Sequence, residues 1–312
     1  MPQIVTLTLN PTVDITWDVE DIVPTRKLRS GGGSVHPGGG GINISRVIAT
    51  LGGDSTAIFP RGGITGSLLT ELLDDYAIDR QVITIRGHTR LAATMSERST
   101  QEEYRIIPPG PDVSESEWQA VLDCIADIRC EYLVCAGSLP RGAPDDFYAR
   151  IATIARDRGV KMILDTSGRA LVEGLKAGVY LVKPNLRELE HLVGRKAPTP
   201  EKQVNVVQQI IEEGRADMVA LTLGAEGALL VWKDGVLRLA SPEVERRSAV
   251  GAGSSFVAGL TLGLAEGRPL EDAFALAVAC GAAALLTPGA ELCRKPDVDR
   301  LYAEIQTSRQ RH

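Results

Sequence analysis

The stretch Ser248–Gly259, SAVGAGSSFVAG, sets two glycines one residue apart ahead of small residues and an apolar run that continues to Gly267. N–H groups in the first turn of a helix lack intrahelical partners, and the helix dipole adds partial positive charge there. Residues with little side chain let a phosphate reach those groups. The stretch therefore reads as an anion-binding turn opening a buried helix, and equally well as a tight helix-packing turn with no ligand. Chemistry at such a turn needs a proton acceptor, and Ser254 is a poor one.

The rest of the chain limits what such a turn can serve. With 312 residues, 44% of them hydrophobic, the chain can bury a large core in one domain or two. Only 4% is aromatic and 32 residues are glycine, a balance that suits a helix-and-sheet enzyme better than an all-β module. A net charge of −6 argues against a nucleic-acid or acidic-membrane partner, so any anion site is local. Cys124, Cys130, Cys135, Cys280 and Cys293 form no C-x-x-C pair and read as reduced core thiols. Four scattered histidines speak against a zinc site or a Ser-His-Asp triad. The opening MPQIVTLTLNPTVD lacks a basic region followed by a long apolar one, no apolar run reaches about 18 residues, and a cytoplasmic location is expected.

From about residue 130, apolar β-rich runs alternate with helix-period segments, the pattern of a parallel sheet with helices on both faces. Strands are expected at 131–138, 160–168, 178–185 and 216–224, with helices at 144–159, 185–193 and 201–213. ALLVWKDGVLRLA (228–240) reads as a hairpin with Asp234-Gly235 in its turn. The N-terminal third differs. After a strand at 4–10, segments 12–22, 27–37, 88–97 and 102–108 alternate polar and apolar residues and predict a small sheet exposed on one face, a lid over the parallel strands. Gly31–Gly33 and Gly38–Gly41 read as glycine-rich loops, the second opening a helix over 38–53.

HPGGGGIN (36–43) is a second place where backbone can approach a ligand, with the Asn43 amide beside it. By itself it is equally a flexible loop. Neither glycine run fits G-x-x-x-x-G-K-[ST] or a dinucleotide-binding fingerprint, so phosphate chemistry here belongs to another architecture.

PGGGGIN (37–43) and VGAGSSFVAG (250–259), in that order, resemble the two signatures of the ribokinase-like carbohydrate kinases. LTLNPTVD (7–14), RKLRSGG (26–32), LGGDSTAIFPRGG (51–63), GHTR (87–90), AGSLPRG (136–142), LVKPNLRELEHL (181–192), LTLGAEGALLV (221–231) and ELC (291–293) are most similar to the phosphofructokinase branch, its minor 6-phosphofructokinase type above all. The resemblance spans almost the whole chain. It implies a ribokinase-like α/β fold over residues 1–312 as a single kinase domain: a central, mostly parallel sheet flanked by helices, with a β-sheet lid from about 12–37 and 88–108.

The same resemblance implies roles. Asp14, Gly39, Gly40, Asn43, Arg90 and Ser138 would bind the sugar phosphate, and Lys27 and Arg90 would meet anionic groups of sugar phosphate and nucleotide. Lys183, Asn185, Thr222, Gly224 and Gly227 would bind ATP. Asn185 and Glu188 would organise Mg²⁺, often through water, although an N-cap asparagine with a first-turn glutamate gives the same letters. Ser138 could likewise be only an N-cap. K⁺ would be held by carbonyls near Ser248, Val250, Ala284, Thr287 and Gly289. Gly251, Ala252 and Gly253 would steady the transferred phosphate, with Ser254 at the position of the catalytic base. Such lids commonly pair between subunits, which implies a homodimer.

The chain departs from the family pattern where it matters most. The usual G-A-G-D aspartate, the base, is Ser254; Ala249 stands for a common threonine; and T-R-L-A leaves Ala92 where an amide is expected. The activity implied is transfer of the ATP γ-phosphoryl group to O1 of fructose 6-phosphate, impaired at Ser254. Fructose 1-phosphate and tagatose 6-phosphate are the alternative acceptors, and a catalytically silent phosphosugar or nucleotide sensor is the alternative class. Ser254 fits a substitution introduced to trap a complex, a natural low-activity homologue, or a binding protein that has lost catalysis.

Overall fold

Successive side chains of a strand point to opposite faces, and in Tyr132–Ala136 both sets are apolar and buried. Tyr132, Val134 and Ala136 enter one core, while Leu133 and Cys135 enter another. Such a strand must lie inside a sheet covered on both sides.

The computed structural model describes residues 3–309. In chain order they form β1 (Ile4–Leu7), β2 (Thr12–Val19), β3 (Gly32–Gly38), α1 (Gly40–Leu51), β4 (Thr56–Arg61), α2 (Gly63–Leu72), β5 (Asp79–Thr84), β6 (Arg90–Glu97), β7 (Glu102–Ile106) and α3 (Glu115–Asp127). There follow β8 (Tyr132–Ala136), α4 (Phe147–Asp157), β9 (Lys161–Asp165), α5 (Gly168–Gly174), β10 (Val179–Val182), α6 (Leu186–Val193), α7 (Pro200–Glu212), β11 (Ala216–Thr222), β12 (Ala228–Trp232), β13 (Gly235–Leu239), α8 (Ala252–Ala265), α9 (Leu270–Ala284) and α10 (Lys295–Arg309).

The nine-stranded sheet runs β13-β12-β11-β10-β9-β8-β1-β4-β5. From β11 to β5 every pairing is parallel, and the β12–β13 hairpin adds antiparallel strands at one edge. Apolar residues of α1, α8, α9 and α10 cover one face, and those of α3 to α7 the other. This is the layered architecture expected from the alternation. Among the described residues, no helix is long and apolar enough to cross a membrane.

Several local expectations need correction. The helix expected from residue 144 begins at Phe147, because the Asp145 and Asp146 carboxylates pair with Arg169 and Arg150 instead of capping N–H groups. Trp232 pairs with Gly235, so the hairpin turn is Lys233-Asp234 and Gly235 opens β13. Gly32, Gly33 and Gly38 belong to β3, not to loops, and Gly40 and Gly41 already lie in α1.

The lid is a separate four-stranded sheet, β3-β2-β6-β7, built from the alternating segments. Its register gives it two unlike faces. Asp14 pairs across with His36 and Ala92, and Thr94 with Arg105, so these lie on one polar face. Ile15, Trp17, Val35, Leu91, Tyr104 and Ile106 share the other.

Small residues set how closely α8 lies on α9. A Cβ at Gly263 would come 2.7 Å from Ala273 Cα, and one at Gly259 2.7 Å from Cys280 Sγ. Overpacked cores lose typically about 1–3 kcal/mol. Gly263→Val should therefore lower unfolding stability by at least about 1 kcal/mol in denaturant titration, and an unchanged midpoint would show that α8 and α9 are not in this close register.

Candidate active site

Gly251 precedes α8 with φ 78°, and a Cβ there would overlap Leu292 Cδ2, so only glycine fits. No side chain caps this helix, and its first backbone bond runs from the Ser255 N–H to the Gly251 carbonyl. The N–H groups of Ala252, Gly253 and Ser254 are therefore the open donors of the first turn. Beside them stands Lys183, 6% exposed, its Nζ 3.4 Å from where a Gly253 Cβ would be. Lys183 is held by Asp165 Oδ1 at 3.1 Å, at the ends of the neighbouring strands β10 and β9. Amides, helix dipole and a buried ammonium thus converge on one spot suited to a phosphate. Ser254 lies half-buried in the same turn.

Across the carboxyl ends of the strands, the other glycine run gathers polar groups. A Cβ at Gly38 would overlap the Asp14 carboxylate, and one at Gly40 would meet Ala136 at 2.8 Å, so both glycines admit their neighbours. Gly39 precedes α1 without a side-chain cap. Asn43 is buried, and its Oδ1 accepts from Arg46 at 3.1 Å, which directs its NH₂ as the remaining donor. Burial pushes the Asp14 carboxyl above its ordinary value, opposed chiefly by the positive field of Arg46, then by a hydrogen bond with Thr12 and by Arg105 and Arg90. Ser138, just past β8, accepts from Asn10 Nδ2 at 3.3 Å and caps no helix.

On the Lys183 side, Asn185 and Glu188 form a reciprocal capping box. Asn185 Oδ1 accepts from the Glu188 N–H and Glu188 Oε2 from the Asn185 N–H, both at 2.9 Å. The N-cap alternative is thus realised, leaving Asn185 Nδ2 and Glu188 Oε1 for any other task. Asn185 bridges to Thr222, which brings the Gly224–Gly227 turn alongside. Gly227 is needed by the fold itself, since a Cβ there would overlap the Leu239 carbonyl oxygen. Asn185 and Glu188 border a cavity of about 720 Å³ that Ser167, Gly168, Arg187 and His191 also line.

The carbonyl-rich residues fall together behind the α8 turn. Ser248 Oγ accepts from the Val250 N–H, and the Thr287 hydroxyl lies 3.0 Å from the Ala284 carbonyl and 2.6 Å from that of Leu292. One lone pair of Ala284 is thus partly committed. Gly289 lies against Thr16 of the lid, and Leu292 holds a left-handed φ of 69°.

Lys27 and Arg90 stand in unlike surroundings. Lys27 lies exposed in the connection between β2 and β3, and no hydrogen bond or ion pair among the described residues joins it to the site. Arg90 donates through each terminal nitrogen, to the carbonyls of Pro108 and Asn10, both at 2.9 Å, which ties β6 to the body and leaves one N–H on each of these nitrogens uncommitted, while its buried Nε has no partner among the described residues. The reading of the residues missed Asp165, Arg105 and Arg46. Asp165 was legible as an acid ending the apolar run KMILD, and Arg46 as a charge among apolar helix positions; Arg105 shows only through lid register.

Known proteins are similar to this chain over nearly its whole length. The pfkB family carbohydrate kinase profile matches residues 7–297. An ATP-dependent 6-phosphofructokinase isozyme 2 of Mycobacterium tuberculosis is 42% identical over 96% of this chain and 89% of its own length. A 1-phosphofructokinase of Bacillus subtilis is 32% identical over 98% of this chain and 99% of its own. The crystal structure of phosphofructokinase-2 from Escherichia coli in complex with potassium, 38% identical, superposes with a TM-score of 0.93 over 98% of this chain and 100% of that one. These matches extend over nearly every element of the ribokinase-like fold, and the chain belongs to the pfkB family of carbohydrate kinases.

Proposed function

We propose that this sugar kinase transfers the γ-phosphoryl group of ATP to O1 of fructose 6-phosphate, giving fructose 1,6-bisphosphate, at a rate held down by Ser254. The observation that carries the reading is that the open α8 amides stand beside Lys183 at the carboxyl ends of β9 and β10, while Gly40 of the other glycine run abuts Ala136 at the carboxyl end of β8 and Gly38 of that run abuts Asp14. The similarity to a 6-phosphofructokinase supports this acceptor. The similarity to a 1-phosphofructokinase keeps fructose 1-phosphate open, and tagatose 6-phosphate offers the same anionic handle. Residues 1–312 act as one kinase domain, with the lid from 12–37 and 88–108.

In this reading Asp14 accepts from sugar hydroxyls, the Asn43 amide donates to the sugar, and Gly39, Gly40 and Ser138 line its pocket. Arg90 and Arg105 give the polar lid face its positive charge. The Ala252, Gly253 and Ser254 amides and Lys183 neutralise charge that grows on the transferred phosphate. Thr222, Gly224 and Gly227 run along the nucleotide. With one carboxylate oxygen free, Glu188 and the neighbouring Asn185 suit Mg²⁺ held through water, and the ion when bound would offset phosphate charge. The carbonyls of Ser248, Val250, Thr287 and Gly289, with the free lone pair of Ala284, suit K⁺. The apolar lid face, with Val35 42%, Leu91 41% and Ile106 58% exposed, fits pairing of two copies through the lid. The setting is the cytoplasm.

The acceptor hydroxyl must lose a proton, and the Ser254 hydroxyl cannot take it. Asp165, the carboxylate next to the turn, is paired with Lys183. A placed base contributes about 10²- to 10⁴-fold. Ser254→Asp should raise ADP production from fructose 6-phosphate, Mg·ATP and K⁺ by at least about 10²-fold with similar calorimetric affinities. A silent Ser254→Asp variant that still binds both ligands would favour a sensor, the second reading that Ser254 supports.

Asp14 gives a pH test. A carboxyl held above its ordinary value in the fold binds its proton more tightly than in the unfolded chain. Its ionised form therefore costs stability, a cost present above the folded-state pKa and relieved as pH falls through it. Asp14→Asn should be at least as stable as the parent near neutral pH. The parent's affinity for fructose 6-phosphate should fall on acidification beyond the change that Asp14→Asn shows, which reports the ligand's own phosphate. Parallel pH profiles and equal affinities for the two proteins would remove Asp14 from the sugar site.

A further inference from the structure

Arg46 is 1% exposed and sits on α1 between the apolar residues Ile44, Val47 and Ile48. A buried charge is expensive unless its donors are met; here Nε has no partner among the described residues, and the two terminal nitrogens draw theirs from several separate parts of the chain. One terminal nitrogen lies 2.9 Å from the Pro37 carbonyl of β3, 3.1 Å from Asn43 Oδ1 and 3.2 Å from the Ala290 carbonyl. The other donates to the Tyr76 hydroxyl at 2.9 Å and lies 3.2 Å from the same Ala290 carbonyl. The Tyr76 ring stands 5.0 Å from the guanidinium carbon.

These contacts reach both halves of the candidate site. Pro37 and Asn43 flank the glycine run of the sugar side. Ala290 belongs to the loop whose Leu292 fills the space beside Gly251, directly behind the phosphate turn, and whose Gly289 abuts Thr16 of the lid. A core residue with only a packing role would not need the fork of donors that a guanidinium supplies.

We propose that Arg46 is a positioning residue that locks the sugar-side glycine run and the loop behind the α8 turn into one register, so that acceptor and phosphate meet. The proposal deepens the sugar-kinase reading and rests on it for the ligand. Arg46 touches no reacting atom; it acts through Asn43, Pro37 and Ala290. Losing it frees both segments together, and displacements of about 1 Å at such sites cost up to roughly 10²-fold in rate.

The test compares Arg46→Met, Arg46→Lys and Ser45→Ala with the parent, all as full chains. Ser45 is the structural control, a buried hydroxyl on the same helix bonded to Thr6 and Ser55. Amide hydrogen exchange and calorimetry with fructose 6-phosphate and with Mg·ATP, each alone, are the readouts. Arg46→Met should speed exchange in both 36–43 and 286–293 by about tenfold or more and weaken fructose 6-phosphate by about tenfold, with Mg·ATP within about twofold. Arg46→Lys should fall between the two, and it carries the test if Arg46→Met does not fold. Ser45→Ala should lower the melting temperature and leave both segments and both affinities unchanged. Unchanged exchange in either segment, or equal loss of both ligands tracking the melting temperature, overturns the proposal. If the parent takes up no fructose 6-phosphate, the functional reading fails, while the exchange data still decide the role of Arg46.

Discussion

The open N–H groups at the start of α8 organise the rest of the structure. Three donors left without intrahelical partners must be met by water or a ligand, and their dipole selects an anion. Lys183 strengthens that preference because it is buried beside Gly253, where it pairs with Asp165. Contact of Gly253 with Lys183, which pairs with Asp165, puts this helix start at the carboxyl ends of β10 and β9, where ligands bind in such sheets. The glycine run before α1 comes to the same edge, since Gly40 abuts Ala136 at the end of β8. The carboxyl end of the sheet thereby carries both glycine runs.

The lid follows from period-2 patterning. Its polar face brings Asp14, Ala92 and Arg105 toward one side, while its apolar face is left exposed above the part that packs on the body. Ala92 lies opposite Asp14 in register, so T-R-L-A leaves a small side chain beside that carboxylate. Gly289 abuts Thr16, so the lid also touches the loop that supports the α8 turn.

Most of the layered architecture was legible because it rests on repeating signals. Strands such as Tyr132–Ala136 are apolar on both faces, and the lid segments are apolar on one. Boundaries that depend on individual contacts were not legible. The Phe147 start of α4 reflects ion pairs of Asp145 and Asp146 with arginines near and far in the chain. The same limit governs the site. Gly251, Gly253 and Lys183 could be read because their residue types match the chemistry. The commitment of Arg90 to two carbonyls and the reach of Arg46 to Ala290 depend on partners 18 to 244 residues away, which spacing does not reveal. Asn185 and Glu188 show how one spacing serves two purposes, since the capping box uses one oxygen of each side chain and leaves the other glutamate oxygen free.

The central claim is that phosphate and sugar meet between the α8 turn and the α1 glycine run. A crystal structure with a non-hydrolysable Mg·ATP analogue and fructose 6-phosphate tests it most directly. The terminal phosphate should lie on the Ala252, Gly253 and Ser254 amides and Lys183, with O1 of the sugar facing it and the sugar hydroxyls on Asp14 and Asn43. A terminal phosphate bound away from the α8 turn, or a sugar away from Asp14, would contradict the account.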